Sequence, residues 1–415
     1  ERGRAMRLVL VVPRFPLVSE TFIVNKFVGL IDAGWDACIA CMQAYPEHWD
    51  EFPALAGRHD LRDRVHREWP HEARWLAVLL WFPVLLLTVL RAPRATRRYW
   101  RECWPRFGRG TLKRFYLDAP LVALQPDILH FEFGALAVER LYLKEALGCR
   151  LSVSFRGYDL NYVGLDDPDY YNQLWQAVDG VHVLGRDLWR RALNRGCPPE
   201  IPHALIPPAI DVDYFSRSGV TERDATRDTD RPLRILSVGR LEWKKGYEYA
   251  LDAARLLAER GHEFEYRIIG DGAYLEPLAF MRHESGLDDR VRFLGAQPHA
   301  KVLEAMNWAD VLLHASVSEG FCNAVLEAQA MGLPVVVSDA DGLPENVDDG
   351  RTGFVVPRRD PVSLAEKLVV LAEDSSLRRE MGAAGRARVE NCFSLPRQIA
   401  EFDRFYSELK IRHAH

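Results

Sequence analysis

Ser318–Glu327 reads SEGFCNAVLE, with two glutamates eight residues apart. In one continuous helix both would face nearly the same way, because eight steps of 100° return close to the start. Gly320 argues against that helix, since glycine is poor in helix interiors and common at loop ends. Upstream, ADVLLHAS (Ala309–Ser316) reads as a buried strand; downstream, NAVLEAQAMG (Asn323–Gly332) reads as a helix closed by Gly332. This predicts Glu319 in a strand-to-helix loop and Glu327 in the first turns of the helix. Both then lie at the carboxyl edge of a parallel sheet, where open α/β folds bind ligands.

Outward from this stretch, strand and helix patterns alternate. PLRILSVGR, EYRIIGDG, RVRFLGA, DVLLHAS, PVVVSD and GFVVP read as short apolar strands with helices between. An earlier series contains Ala5–Val12, ACIACM, DILHFEFG, RLSVSFRGYD and DGVHVLG. Such alternation implies parallel, doubly wound sheets, and two series imply two Rossmann-like domains facing one another across a cleft. At 415 residues the chain is too long for one ordinary core. The expected division is 1–215, a polar linker over 216–230, a second domain over 231–395, and a last helix over 396–415 packing back on the first.

Composition places the chain among soluble enzymes, at 48% hydrophobic and 27% charged residues. A net charge of −5 carries no global nucleic-acid signal. Ala5–Val12 reads as a strand running into Pro13, so no leader is expected. Seven cysteines show no disulfide framework, which suits a reducing compartment and a cytoplasmic location. Cys38 and Cys41 form a CxxC inside a strand, where residues three apart face opposite sides. A redox or metal role is therefore not expected of them.

One segment is compositionally odd. WLAVLLWFPVLLLTVL (Trp75–Leu90) has no charge, and Arg91–Phe115 then carries nine basic residues and one acid. Sixteen apolar residues are short of a span, and Pro83 breaks the run further. Two readings stay open over 75–114: a core helix followed by a solvated basic helix, or an in-plane helix on an anionic membrane surface. The segment lacks a nucleic-acid motif.

The second series opens with VGRLEWKKG: a strand, Gly239, Arg240, then Lys245 and Gly246 opening a helix. Helix-start amides, an Arg fork and a Lys point charge together suit phosphate. Cations at one strand end and carboxylates at another fit a ligand with diphosphate on one side and hydroxyls on the other. A nucleotide sugar is such a ligand.

VGRLEWKKG, IIGDG, the Glu319-x7-Glu327 pair, GLPVVVSD and GLPENVDDGRTGFVV, in that order, resemble the family four retaining glycosyltransferases. RFPLVSETFI (Arg14–Ile23) is similar to the exopolysaccharide-type, colanic-acid members. The resemblance implies the GT-B fold and transfer of a sugar from a nucleotide-diphosphate sugar to a glycan, lipid-linked or small-molecule hydroxyl, with no metal or other cofactor. It implies a donor site of Arg240, Lys245, Gly270, Asp271, Glu319, Gly320, Phe321, Cys322, Asn323 and Glu327. Arg240 and Lys245 would hold diphosphate, Glu319 the sugar hydroxyls, Glu327 the ribose. The acceptor side would include Ser19, Glu20, Thr21, Arg156 and Asp159, with Arg156 and His130 beside the reaction.

Two departures stand out. The family's His-Gly-x-Asp reads Arg156-Gly157-Tyr158-Asp159 here, and its HxHFG reads HFEFG, with His130 kept and Glu132 in place of the second His. Arginine cannot serve as a base near neutral pH. Asp167-Pro-Asp169 spells the metal motif of a different transferase fold but reads as a polar loop. The rival functions are a nucleotide-sugar epimerase on the same fold and a catalytically silent binding subunit.

Overall fold

The computed structural model describes residues 6–17, 20–69, 74–216 and 231–411. Ser19, most of the expected linker and the last four residues lie outside them. The chain divides into two compact units: Glu1–Leu184, Leu188–Ile206 and Gln398–His415 in the first, Gly185–Asp187 and Pro207–Arg397 in the second.

The first unit is built on seven parallel strands: β1 (Arg7–Phe15), β2 (Asp36–Ala44), β3 (Val65–Arg67), β4 (Ile128–Phe131), β5 (Arg150–Phe155), β6 (Gly180–Val183) and β7 (His203–Leu205). Their order is β3-β2-β1-β4-β5-β6-β7. Leu8 to Val12 are buried in succession. A strand covered on both faces has this unbroken apolar run. Helix α1 (Thr21–Asp32) buries Ile23, Val24, Phe27 and Leu30, and with them Lys26. The closing helix, Leu395–Ile411, adds Phe402, Phe405, Tyr406 and Leu409 to the same core. Cys38 and Cys41 are both buried in β2, and burial pushes the Cys41 thiol up to about 12.

Between β3 and β4 come three helices, α2 (Arg74–Arg91), α3 (Pro93–Phe107) and α4 (Gly110–Leu124). Tyr99 of α3 and Tyr142 both donate to the buried Asp118 carboxylate of α4, at 2.7 and 2.6 Å. Helix α2 runs unbroken through Pro83. Of the two readings left open for it, the core helix does not hold: Val84 and Thr88 are its only buried side chains among those described.

The second unit has six parallel strands: β8 (Leu233–Val238), β9 (Phe264–Ile269), β10 (Val291–Phe293), β11 (Val311–His314), β12 (Val335–Ser338) and β13 (Gly353–Val356). Their order, β10-β9-β8-β11-β12-β13, reverses direction between β8 and β11. That is the topological switch point of a Rossmann sheet, where ligands bind beyond the strands' carboxyl ends. The boundary between the units falls at Pro207, earlier than residue 215. Ile210 and Phe215 sit in the second core, and Ile210 bridges to Ser394.

Candidate active site

In the second unit, β8 and β11 deliver the two loops of the switch point. After β8 the chain passes Gly239 and Arg240, makes a short turn over Trp243–Lys245, and enters a helix at Tyr247 through Gly246. Gly246 has φ +62°, and a Cβ there would stand 2.2 Å from the Ala315 carbonyl oxygen. Only glycine lets the two loops approach this closely. The Val317 amide donates to the Lys244 carbonyl at 2.8 Å and binds the loops together. Lys245 thereby reaches Glu319, and its ammonium donates to Oε2.

The cation and carboxylate that the sequence set on two sides of a ligand are thus one ion pair. Around it, His314 Nε2 lies 3.5 Å from Glu319 Oε2 and 3.4 Å from Cys322 Sγ. Burial alone would raise the Glu319 carboxyl, but Lys245 and His314 hold it down at about 2. Burial opposes charging His314, yet Cys322 and Glu319 beside it raise the imidazole to about 9. The Glu319 backbone is pinned as well. Its amide donates to Asp341 Oδ2 at 3.2 Å and its carbonyl accepts from Gly342 at 2.9 Å. Arg358 anchors Asp341 through Oδ1 at 3.0 Å.

Gly320 and Phe321 complete the loop, and the helix Asn323–Ala330 begins after Cys322. The first amides of a helix lack intrahelical partners and favour negative charge. The Cys322 amide is already engaged, donating to Asn346 Oδ1 at 3.3 Å, so it is not an open donor. Glu327 lies in the second turn. No hydrogen bond or ion pair reaches its carboxylate among the described residues, and burial raises it to about 7. Arg240 differs from Lys245: it is two-thirds exposed and pairs with Glu242 at 2.8 Å. Gly270 and Asp271 line the neighbouring turn, with Gly270 (φ +147°) placed so that a Cβ would be 1.9 Å from the Gly239 oxygen.

His314, Glu319 and Cys322 form the one cluster among the described residues that could hold a metal ion. An ion there would have to displace the Lys245 ammonium and the His314 proton. Asp167 and Asp169 serve their own loop: Asp167 accepts from the Asp169 amide at 3.0 Å, Asp169 from Asn172 at 2.6 Å.

The first unit gathers a second polar cluster at the ends of β4 and β5. Lys26 Nζ donates to Glu132 Oε1 at 2.6 Å and lies 3.2 Å from His130 Nε2. Arg156 donates to Glu132 Oε2 at 3.1 Å, and its guanidinium lies 3.8 Å from the Phe22 ring centre. Burial lowers Lys26 to about 8, against the pull of Glu132. Glu132 is held below its usual range by Lys26 and Arg156 despite its burial. The two departures from the family pattern are therefore one feature, a carboxylate and a guanidinium that neutralise each other.

His130 and Asp159 do not face outward. His130 is wholly buried, with Ser152 and Ser154 hydroxyls each 2.8 Å from its ring nitrogens, and burial drives its pKa well down. An ammonium only donates, so Nε2 beside Lys26 is the unprotonated nitrogen. Asp159 accepts from the backbone amides of Ala135 and Arg156 at 3.1 and 3.0 Å. Both side chains are engaged in these contacts. Among the described residues, Glu20 Oε2 and the Nε of Arg156 have no hydrogen-bond partner, and burial raises the Glu20 carboxyl. Thr21 opens α1 next to it.

Lys26, His314 and Asp341 were not foreseen. His314 alone left a signal, a histidine ending the apolar run VLLH.

The sequence profile described as glycosyl transferases group 1 matches residues 221–388. The amylovoran biosynthesis glycosyltransferase of Erwinia amylovora is 30% identical, covering 95% of this chain and 98% of its own. A Salmonella typhimurium chain assigned to colanic acid biosynthesis is also 30% identical, over 88% of this chain and 90% of its own. Among solved structures, a glycosyltransferase of Rickettsia africae superposes with a TM-score of 0.71 at 18% identity, covering 98% of this chain and 99% of that one. Anabaena HepE, solved in complex with UDP, gives 0.71 at 16% identity over 97% and 100%. At such identities the structures share the fold, GT-B. With the near full-length match to the amylovoran enzyme, the chain belongs to the group 1 glycosyltransferases.

Proposed function

We propose that this protein transfers a sugar, with retention, from a nucleotide-diphosphate sugar to a hydroxyl of a saccharide or lipid-linked acceptor during exopolysaccharide assembly. The observation that carries the reading is the Lys245–Glu319 pair at the switch point, with Glu327, unpartnered among the described residues, in the second turn of the helix that follows. Amylovoran and colanic acid assignments of the full-length relatives support the pathway class. The UDP complex of HepE supports the donor class.

The chemistry follows from the groups present. An incoming diphosphate takes Lys245 from Glu319, because two phosphate charges outweigh one carboxylate. Glu319, released but still held by its backbone, then accepts from sugar hydroxyls. Glu327 accepts from the ribose diol, for which an ionised carboxylate has two suitable oxygens. As the glycosidic bond breaks, charge grows on the leaving diphosphate, and the fixed ammonium with the helix-start amides stabilises it. The acceptor hydroxyl enters on the same face and passes its proton to the leaving phosphate. In the first unit, Glu20, Thr21 and Arg156 provide the acceptor side. Side-chain cations supply the positive charge, so no metal is required.

The test is incubation with a panel of nucleotide sugars, with and without saccharide acceptors, reading thermal shift and nucleotide diphosphate release. Acceptor-dependent release supports the proposal. Donor turnover to an epimer without acceptor overturns it in favour of an epimerase. Binding without turnover of any kind points to a silent subunit.

A further inference from the structure

Helix α2 carries its apolar side chains on the wrong side for a core helix. At 100° per residue, Trp75, Val78, Leu79, Phe82, Leu86 and Leu90 fall within an arc of about 120°. Each leaves half or more of its area in water, from 50% for Leu86 to 76% for Val78. The buried Val84 and Thr88 lie on the opposite side. A surface helix serving only its own core shows the reverse pattern. The stripe exposes several hundred Å², at or above the roughly 300–600 Å² of the largest apolar patch on a typical monomer.

Charge decides what covers it. Arg91 ends α2, and Arg94, Arg97 and Arg101 of α3, which packs beside it, are exposed, as are Arg106 and Arg109 further on. Glu102 is the single acid from 91 to 115. A second copy packed symmetrically on this face would set arginine against arginine. An anionic partner with an apolar interior satisfies both features. No helix among the described residues is long and apolar enough to cross a membrane.

We propose that α2 lies in the plane of an anionic lipid bilayer, its Trp75–Leu90 stripe among the acyl chains and the α3 arginines against the headgroups. Tryptophan belongs at such an interface, and each arginine near an anionic surface adds attraction that salt screens. The inference goes beyond the transferase reading and is tested by lipid binding alone.

Flotation is measured with vesicles of phosphatidylcholine alone and with phosphatidylglycerol added, at low and high salt. The wild type is compared with Leu79→Ser/Phe82→Ser and with Arg94→Ser/Arg97→Ser/Arg101→Ser, all at exposed positions, with circular dichroism melting to verify folding. The wild type is expected to float with anionic vesicles at low salt, and both variants to bind at least tenfold more weakly. The proposal fails if the wild type stays with the soluble fraction on anionic vesicles, or if the folded variants float as well as it does. It also fails if the wild type does not float but forms a dimer that Phe82→Ser disperses, which would make the face a contact between copies.

Discussion

Replacing Glu327 by glutamine is expected to make the protein more stable and a poorer binder of its donor. Burial raises the carboxyl from 4.5 to about 7, and nothing among the described residues compensates its charge. A carboxyl raised in the folded state carries no penalty below its unfolded pKa, where it is protonated in both states. The penalty grows between pH 4.5 and about 7 and is complete above that. At about 1.4 kcal/mol per tenfold, the gap corresponds to ~3 kcal/mol for a fully dry group. Glu327 keeps some exposure, so solvent screening leaves about 1–2 kcal/mol. In a unit of this size that shifts Tm by about 2–8 °C. Melting of wild type and Glu327→Gln without nucleotide, at pH 8 and pH 5, reads the first half. The variant should melt higher at pH 8, and the difference should shrink at pH 5. Calorimetric titration with the nucleotide sugar reads the second half, where affinity should fall about tenfold, because an amide puts a donor where the diol needs an acceptor. A variant that melts no higher at pH 8, or binds donor as tightly as wild type, refutes the reasoning.

Lys245→Ala should lower kcat/KM by about ten- to a hundredfold and destabilise by ~1–3 kcal/mol, since it takes from Glu319 its hydrogen-bonded ammonium and leaves His314 beside it; steady-state kinetics and denaturant titration measure both. Arg240→Ala, at an exposed site, should cost activity without stability, and kinetics alone should register it. Activity should survive excess EDTA, as read by nucleotide release; full loss restored by a divalent ion would turn attention to His314, Glu319 and Cys322. Lys26→Met and Glu132→Gln should each destabilise by about 3–5 kcal/mol. The double variant should recover at least ~1 kcal/mol of the summed loss in a denaturant-based double-mutant cycle.

What could be read from the sequence was local. Gly320 between an apolar run and a helical one was enough to separate Glu319 from Glu327, and the structure has that loop. The ion pair joining Lys245 to Glu319 depends on two loops meeting through Gly246, which no pattern within either loop displays. Lys26 sits among Ile23, Phe27 and Leu30 on the inward face of α1. Its reason for being there, Glu132, is 106 residues away. In α2, periodicity shows which residues share a face but not which way the face turns, so core and interface readings were indistinguishable. At Pro207–Phe215 the second core takes two apolar side chains, Ile210 and Phe215, a placement that no pattern within the segment displays.

The contact between Lys245 and Glu319 also bears on how a product leaves. A carboxylate tethered within reach of the ammonium acts as a rival at high effective concentration. Any anion seeking Lys245 must outbid it. Inorganic phosphate or chloride, with one weak contact to offer, gains little by entering, whereas a nucleotide diphosphate gains on several contacts at once. In the mechanism proposed above, once the sugar has gone Glu319 loses its hydroxyl partners and is free to reclaim the lysine, pushing the spent nucleotide out. Removing that carboxylate should therefore leave a protein that holds nucleotide diphosphate longer than the wild type does, with a slower off-rate in stopped-flow displacement.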